Sequence, residues 1–303
     1  MNTLKQSKDG LIDSNGTQLY YKAFGEGEPV VILHGGPGFD HLHILPFKQL
    51  SDNFKVIFYD QRATGRSTGD VNEHSITVEN FVDDLECIRK KLNLGTIHLI
   101  GHSWGSLLAM VYGMTYPDHL KSLFLLACYG SSEVFGPYFQ NIQKRTLPQD
   151  GLAMKEMEAS QAFKNKEVEA IQKYFQVAVK SMFNNPQAAK EMDFIIHKNT
   201  ALNQGTVSGL LMNNIGDFDN HAKLSIIKCP TLVIHGDSDP LPIKAAYRVH
   251  KAIPQSKFVI LQDSGHFMFI ESPEALFSII GDFIRDEHSV TTSIPNGLMG
   301  QLE

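Results

Sequence analysis

Five consecutive residues have the spacing of a turn that presents a nucleophile. The sequence Gly101-His102-Ser103-Trp104-Gly105 follows an apolar run and precedes a helical pattern. A serine hydroxyl is a poor nucleophile unless a tight strand-to-helix turn lifts it clear of the backbone beside a base, and small flanking residues let that turn close. The pattern predicts Ser103 as a catalytic nucleophile. The alternative is an ordinary turn between a strand and a helix.

A second run, His34-Gly35-Gly36-Pro37-Gly38, is rich in glycine and also follows an apolar segment. Glycine and proline leave backbone N–H groups accessible, without side chains in the way. The run therefore favours an oxyanion hole, with the amides of Gly36 and Trp104 as donors to the developing alkoxide. A phosphate-binding turn is the alternative, but the helix start and lysine of a P-loop are missing. The Trp104 indole is expected to form only a pocket wall, and His34 to brace the glycine loop.

Of the 13 histidines, His266 has the position that a general base needs. It ends the sequence Asp263-Ser264-Gly265-His266 after the last predicted strand, where it can lean over the sheet edge toward Ser103. After a nucleophile elbow, the acid and then the histidine follow in the chain. We therefore predict His266 as the base. His102 lies in a turn too tight for it to face the nucleophile.

The acid has three candidates. The sequence Gly236-Asp237-Ser238-Asp239-Pro240 places two carboxylates directly after a predicted strand. Asp239 is the predicted acid, which would hold the neutral imidazole in the right tautomer and stabilise the imidazolium. Asp237 remains an alternative. Asp263 is the third candidate, but it lies only three residues before His266 and is therefore expected to cap a turn.

No metal or cofactor is expected, because a triad and backbone donors suffice for this chemistry. Asp40, His41 and His43 have metal-binding side chains. However, no H-E-x-x-H motif or second cluster completes a site.

The elements that must position these residues alternate along the chain. Strands are predicted at 30–33, 54–59, 97–100, 122–127, 231–235 and 257–261, and helices at 77–92, 106–116, 243–252 and 274–285. A leading hairpin is predicted around the turn signal Asn15-Gly16. Continuous apolar runs separated by helices are typical of a mostly parallel, twisted sheet flanked by helices. The sequence therefore predicts an α/β fold.

A helix-rich stretch interrupts this alternation. Residues 130–218 contain no convincing strand and are predicted to be a helical cap inserted into a core of residues 1–129 and 219–287. Residues 288–303 are polar with glycine and proline, and are predicted to be a loose tail.

Composition limits the class of partner. The chain has 303 residues, 42% of them apolar, a net charge of −6 and no basic block, so nucleic acid is not expected as a partner. Residues 1–8 lack the apolar core of a signal peptide, and the apolar run 123–128 is too short to span a membrane. Three cysteines cannot all pair and are expected to be reduced. We expect a cytoplasmic protein, without a membrane partner, that acts on a small molecule or short peptide; the oligomeric state is left open.

Taken together, the motifs resemble the proline iminopeptidase group (peptidase family S33-like) of the α/β-hydrolase superfamily. The shared motifs are His34-Gly35-Gly36-Pro37-Gly38, Asp60-Gln61-Arg62-Ala63-Thr64-Gly65-Arg66-Ser67, Gly101-His102-Ser103-Trp104-Gly105-Ser106, Gly236 with Asp239, and Gly265-His266. The resemblance implies the α/β-hydrolase fold with a cap, acyl-enzyme chemistry, and removal of an N-terminal residue, often proline, from small peptides. The family's G-x-x-D pattern favours Asp239 over Asp237. The loop beginning at Asp60 supports the active site in that family, and here Asp60, Arg62 and Arg66 are expected to form a buried ion-pair network.

The chain departs from the family where a substrate amine would bind. Such an enzyme needs a carboxylate for the substrate ammonium, but Pro240 stands where some members have glutamate, and residues 205–216 contain no acidic residue. The remaining candidates, each otherwise a solvated surface charge, are Glu133, Glu158, Glu191, Asp217 and Asp219. Two alternatives therefore stay open: a carboxylesterase or lactonase for a small neutral acyl compound, and a ligand-binding protein on a hydrolase scaffold.

Overall fold

The computed structural model describes residues 7–295 and 297–302. Residues 1–6, which make up most of the polar amino-terminal stretch considered above, lie outside the described residues. None of the described helices is long and apolar enough to cross a membrane.

A mostly parallel sheet forms the core. Its strands are β1 (Lys8–Ser14), β2 (Thr17–Phe24), β3 (Pro29–Leu33), β4 (Lys55–Tyr59), β5 (Ile97–His102), β6 (Leu120–Leu126), β7 (Thr231–Gly236) and β8 (Ser256–Leu261). They are arranged in the order β1-β2-β4-β3-β5-β6-β7-β8. β1 pairs antiparallel with β2 and β2 with β4, whereas the other neighbours pair parallel. β5 and β7 are buried along their whole length, which explains their continuous apolar runs. The predicted α/β fold is confirmed.

Helices lie in several of the connections between strands and after β8. The α-helices are α1 (Val78–Lys91), α2 (Trp104–Thr115), α3 (Phe135–Arg145), α4 (Pro148–Ala159), α5 (Gln161–Lys164), α6 (Val168–Ala178), α7 (Lys198–Ile215), α8 (Ile243–Ala252), α9 (Met268–Glu271), α10 (Pro273–Arg285) and α11 (Met299–Leu302). α1 begins where the Thr77 side chain accepts the Asn80 amide. Its buried face includes Phe81, Leu85 and Ile88, which have helical spacing within the predicted helix 77–92.

The first two strands form the predicted hairpin. Ser14 pairs with Thr17 across the turn. Asn15 and Gly16 have positive φ angles of 31° and 80°, which is the backbone conformation that the Asn-Gly pair favours in a two-residue turn.

Helices α3 to α7 occupy the chain between β6 and β7, within the range predicted for the cap. The ends of this insertion meet at its base, where Ser131 bridges Asp219 and the Asn220 amide donates to the Gly130 carbonyl oxygen at 2.9 Å. The described part of the insertion contains no strand longer than that isolated bridge. The division into core and cap at residues 130 and 218 stays a prediction.

The carboxyl-terminal segment is not the loose tail that its polar composition predicted. The Ser293 amide donates to the Phe258 carbonyl oxygen at 2.9 Å, and the Ile260 amide donates to the Ser293 carbonyl oxygen at 3.2 Å. Leu302, in α11, is buried. β8 is the edge strand of the sheet, so its unpaired backbone groups can accept this segment whatever the side chains are.

Candidate active site

Ser103 lies in a strained turn between β5 and α2. Its φ and ψ angles are 56° and −119°, a conformation that costs a residue with a side chain on the order of 1–3 kcal/mol and is concentrated at functional sites. A Cβ atom on Gly101 would overlap the Gly105 carbonyl oxygen, and one on Gly105 would overlap the Leu33 carbonyl oxygen. Glycine is therefore required on both sides of Ser103, for the steric reason argued from the sequence.

The glycine-rich loop after β3 lies against this turn. A Cβ atom on Gly35 would lie 3.2 Å from the Ser103 Cβ atom, and Gly36 has a φ of +52°. Within the described residues, the amides of Gly36 and Trp104 donate no hydrogen bond to another protein group. Trp104 also begins α2, and the amino-terminal end of a helix carries a partial positive charge. Two main-chain N–H groups without a protein acceptor among the described residues thus lie near Ser103. One belongs to the next residue, Trp104, and the other belongs to Gly36 in the adjoining loop.

His266 and Asp239 form a buried pair. The His266 Nδ1 atom lies 3.1 Å and 3.0 Å from the two carboxylate oxygens of Asp239, and the Leu241 amide donates to Asp239 Oδ1 at 2.8 Å. Burial alone raises the pKa of Asp239, but the His266 imidazole and the Leu241 amide outweigh burial and hold the pKa below its usual range. The pair joins the loop after β7 to the loop after β8.

The other two acid candidates lie away from the imidazole. Asp237 is exposed and accepts the Ser264 amide at 3.3 Å. Asp263 is also exposed, in a turn with a φ of 53°. The structure therefore brings Asp239, rather than either neighbour, to His266.

His102 connects the serine turn to the loop of His266. Its ring lies 4.8 Å from the His266 ring, and its Nε2 atom lies 2.8 Å from the His266 carbonyl oxygen. The His102 ring also packs against the rings of Phe267 and Phe269, whose centroids lie 5.8 Å and 5.2 Å away. No hydrogen bond joins Ser103 Oγ to the His266 ring among the described residues, where the imidazole is bound by Asp239.

The sequence matches the alpha/beta hydrolase fold family over residues 28–273. The chain belongs to the α/β-hydrolase fold family. In this α/β-hydrolase the Ser103 turn follows β5, and the Asp239–His266 pair joins the loops after β7 and β8.

Proteins similar to this α/β-hydrolase include proline iminopeptidases by sequence and an enol-lactonase by fold. A proline iminopeptidase of Heyndrickxia coagulans is 29% identical over 289 residues, which are 91% of this chain and 98% of the relative. The crystal structure of the Mycobacterium smegmatis proline iminopeptidase matches with a TM-score of 0.70 and 20% identity, over 92% of this chain and 98% of that one. The enol-lactonase of Burkholderia xenovorans LB400 matches with a TM-score of 0.64 and 23% identity, over 91% and 100%. The resemblance to the proline iminopeptidase group is confirmed, and the structural matches show the shared fold.

The predicted ion-pair network among Asp60, Arg62 and Arg66 is wrong. Asp60 instead lies 2.6 Å from His41 Nδ1 and accepts the Arg66 amide at 2.8 Å. Arg62 forms two 2.7 Å hydrogen bonds with Asp84. Although burial alone raises the pKa of Asp60, the hydrogen bonds from His41 and the Arg66 amide hold it below its usual range. Asp60 thus joins this loop of the α/β-hydrolase to His41 and to the loop's own main chain, whereas Arg62 joins it to Asp84 on α1.

Trp104 does not serve as the pocket wall that we expected. Its indole is fully buried, and Nε1 donates to Gln61 Oε1 at 2.9 Å. The Gln61 side chain also donates from Nε2 to the His34 carbonyl oxygen at 3.1 Å. The main-chain N–H of Gln61 donates to His34 Nε2 at 3.2 Å. Gln61 therefore connects the residue after Ser103 to the glycine loop, and His34 braces that loop through Gln61. Burial lowers the pKa of His34, which keeps the ring neutral as an acceptor.

The five carboxylates considered for a substrate ammonium lie on the surface of the α/β-hydrolase. Glu133 lies 2.7 Å and Asp219 3.9 Å from the Arg248 guanidinium. An exposed carboxylate is well solvated and gains little from an ion pair. The exposed residues are Glu133, Glu158, Glu191, Asp217 and Asp219.

The residues weighed as metal ligands have other partners. Asp40 Oδ2 accepts the His197 amide at 3.0 Å, His41 binds Asp60, and the His43 ring stacks on Phe194 at 6.2 Å. In residues 7–295 and 297–302, no group of three or more His, Cys, Asp or Glu side chains is arranged to hold a metal ion. The cysteines are free thiols: Cys87, Cys128 and Cys229.

Sequence reasoning missed the side chains that hold the main chain around Asp239 and His266. We name residues 237–240 the acid loop and residues 262–267 the histidine loop. Asn141 and Arg145, both on α3, donate to carbonyl oxygens of the acid loop. Glu271 accepts the Gly265 amide of the histidine loop at 2.7 Å. No motif marks these contacts, because backbone groups of any residue type can make them.

Proposed function

We propose that the protein is a serine hydrolase with Ser103 as nucleophile, His266 as general base and Asp239 as the residue that orients the imidazole. The 3.0 Å contact between His266 Nδ1 and the buried Asp239 carboxylate, next to the strained Ser103 turn, carries this proposal. When Nδ1–H donates to Asp239, Nε2 is left unprotonated and can accept the serine proton. Proton transfer needs the Ser103 hydroxyl within hydrogen-bond reach of Nε2 when substrate is bound, a contact that can tighten only in that complex.

The proposed reaction is acyl transfer through an acyl-enzyme. Ser103 Oγ attacks the substrate carbonyl carbon while its proton passes to His266 Nε2, and the carbonyl electron pair moves onto oxygen. The amides of Gly36 and Trp104 donate to that oxyanion, and each such donor contributes about 3 kcal/mol to lowering the barrier. The leaving group departs with the proton from His266. Water, deprotonated by His266, then hydrolyses the acyl-serine and regenerates the hydroxyl.

The substrate class that we propose first is a short peptide whose amino-terminal residue is released. Similarity along nearly the whole of a proline iminopeptidase supports this assignment. The reaction would use the amino-terminal residue, proline in the simplest case, as the acyl group and the rest of the peptide as the leaving amine.

A second candidate is a neutral ester or lactone. The exposure of all five candidate ammonium partners favours it, because a neutral acyl group needs no buried carboxylate. Methionine side chains in the insertion can adapt to apolar groups of different shape, and one of them, Met182, lies with its sulfur 3.9 Å from the Tyr138 hydroxyl. Similarity to an enol-lactonase fold is consistent with this candidate. The methionines concerned are Met154, Met157, Met182, Met192 and Met212.

Matched substrates distinguish the two candidates. The measurement is kcat/KM for prolyl arylamide, for its N-acetylated form, and for short p-nitrophenyl esters. A peptidase that binds the free amine turns over the prolyl arylamide and loses turnover on N-acetylation. Turnover of esters without turnover of either arylamide would overturn the peptidase assignment and select the neutral substrate.

The nucleophile is tested independently of the substrate. A fluorophosphonate probe should modify Ser103 alone, as located by peptide mass spectrometry, and Ser103→Ala should lower kcat by about 10⁶-fold. A folded wild-type protein that resists the probe and turns over none of these substrates would instead favour a ligand-binding protein on this fold. The predicted cytoplasmic location stays a prediction.

A further inference from the structure

The histidine loop rests on a segment of the insertion. The His266 amide donates to the Met182 carbonyl oxygen at 2.8 Å, and a Cβ atom on Gly265 would lie 2.7 Å from the Asn184 amide nitrogen. The rings of Phe183 and Phe267 stack with their centroids 5.0 Å apart. The main chain of the candidate base is thus fitted closely to residues 182–184, which we name the support segment.

One side chain joins this support segment to the acid loop. Arg145, at the end of α3, donates from one terminal nitrogen to the Phe183 carbonyl oxygen at 3.0 Å and from the other to the Ser238 carbonyl oxygen. Ser238 immediately precedes Asp239, and Phe183 immediately follows Met182, which accepts the His266 amide. A single guanidinium therefore spans the two pieces of main chain that carry Asp239 and support His266.

The chemistry of arginine suits this bridge. A guanidinium is planar, permanently charged and presents its donors in a fixed fork, so it sets the separation of two acceptors. Arg62, by contrast, uses its fork on the Asp84 carboxylate. Arg145 forms no ion pair within the part of the chain that the structure describes, and its terminal nitrogens bind main-chain carbonyl groups instead.

We propose that Arg145 is a positioning residue that fixes the acid loop relative to the histidine loop, and so holds the Asp239 carboxylate against His266 Nδ1. This inference rests on the proposed function of the pair. Asp239 and His266 belong to separate loops, so a shift of one loop changes their separation directly. A misplacement of about 1 Å at a catalytic group can cost about 10²-fold in rate.

The test compares Arg145→Ala with Arg248→Ala, assayed on whichever substrate the wild-type protein turns over. Arg248 is a matched control because it also joins the insertion to the core, but its guanidinium lies against the carboxylates of Glu133 and Asp219 instead of main-chain groups of the two loops. We expect Arg145→Ala to lower kcat by about 10- to 100-fold with little change in KM. Arg248→Ala should keep wild-type kcat.

Chemical rescue separates positioning from general stabilisation. Millimolar guanidinium chloride should raise kcat of Arg145→Ala by refilling the bridge, and should not raise kcat of the wild type or of Arg248→Ala. Arg145→Lys retains the charge without the fork, so we expect an intermediate kcat. If Arg145→Ala does not fold, Arg145→Lys replaces it in the test. We then expect a lower kcat than that of the wild type at an unchanged melting temperature.

The outcomes also separate this inference from the proposed function. Wild-type kcat in folded Arg145→Ala, or a lowered kcat that guanidinium leaves unchanged, would overturn the positioning role while Ser103→Ala remains inactive. Full activity in Ser103→Ala would overturn the proposed function itself.

Discussion

The Nε2 atom of His102 lies 2.8 Å from the main-chain carbonyl oxygen of His266, so the residue before the candidate nucleophile holds the main chain of the candidate base. Burial, reinforced by the neighbouring His266 ring, lowers the pKa of His102 to about 3. The His102 ring is therefore neutral near pH 7, and Nε2 carries the proton that it donates to this carbonyl group. His102 therefore has a structural role in holding the His266 main chain, and it is not a candidate for the general base.

We predict that His102→Leu destabilises the protein and His102→Gln does so less. Leucine leaves the buried His266 carbonyl oxygen without a donor, which costs about 1–3 kcal/mol, whereas the glutamine amide can still donate. Urea unfolding gives the free energy of unfolding, and kcat reports on the His266 loop. Equal losses in the two variants would show that ring packing, not the hydrogen bond, is what His102 contributes.

We predict opposite effects for two Gly→Ala substitutions. A Cβ atom on Gly105 would overlap the main-chain oxygens of Leu33 and His34, which cannot move aside, so we expect a loss of about 1–3 kcal/mol. Gly209 is exposed within α7 and a Cβ there meets nothing within 4 Å, so alanine should stabilise by about 0.5–1 kcal/mol. The measurement is the free energy of unfolding in urea. A tolerated Gly105→Ala with an intact Ser103 turn would contradict the steric argument.

The parts of the fold that sequence predicted are those in which one local pattern determines the structure. β5 and β7 are buried on both faces, so their continuous apolar runs are typical of strands inside a parallel sheet. The Asn15-Gly16 turn and the Ser103 turn likewise depend on backbone conformations that a few residue types adopt. The position of His266 close to the Ser103 turn could be predicted from chain order, because the end of β8 lies at the same sheet edge as the end of β5.

The parts that sequence could not predict are pairings between distant segments. Many carboxylates can serve an arginine equally well, so nothing local tells Arg62 to bind Asp84 rather than Asp60. Arg145 binds main-chain carbonyl oxygens, which every residue has. The sequence therefore contains no residue type that predicts its partners. The hydrogen bonds of Ser293 with β8 are also made by main-chain groups, so the polar composition of this segment does not predict them.

We predict that Asp60 contributes stability that is lost in acid. Its pKa in the folded protein lies below the ordinary value of 3.8, because hydrogen bonds from His41 and the Arg66 amide outweigh burial. A lowered pKa means that the unfolded chain binds the proton more readily, so the stabilisation is complete above the ordinary pKa and disappears as the pH falls through the lowered one. The free energy of unfolding should therefore fall below about pH 4 in the wild type.

Asp60→Asn provides the comparison for that pH dependence. The variant should be less stable than the wild type at pH 7, and the difference between them should shrink as the pH approaches 3. Asp13→Asn, at an exposed residue of β1, is the control and should follow the wild-type curve. A difference between wild type and Asp60→Asn that stays constant across this pH range would show that Asp60 acts through shape rather than charge.

We predict that Thr200 fastens α7 to the loops beside the candidate site. Its buried hydroxyl donates to Asp40 Oδ2 at 2.6 Å and accepts the Gly65 amide at 2.9 Å. Thr200→Val keeps the shape and leaves both buried partners unsatisfied at this contact, so we expect a loss of about 1–3 kcal/mol. Thr115→Val is the matched control, because that exposed hydroxyl donates only to Val111 within its own helix. Urea unfolding measures both, and limited proteolysis should cleave Thr200→Val faster within α7. Equal stability of the two variants would mean that other contacts hold α7 in place.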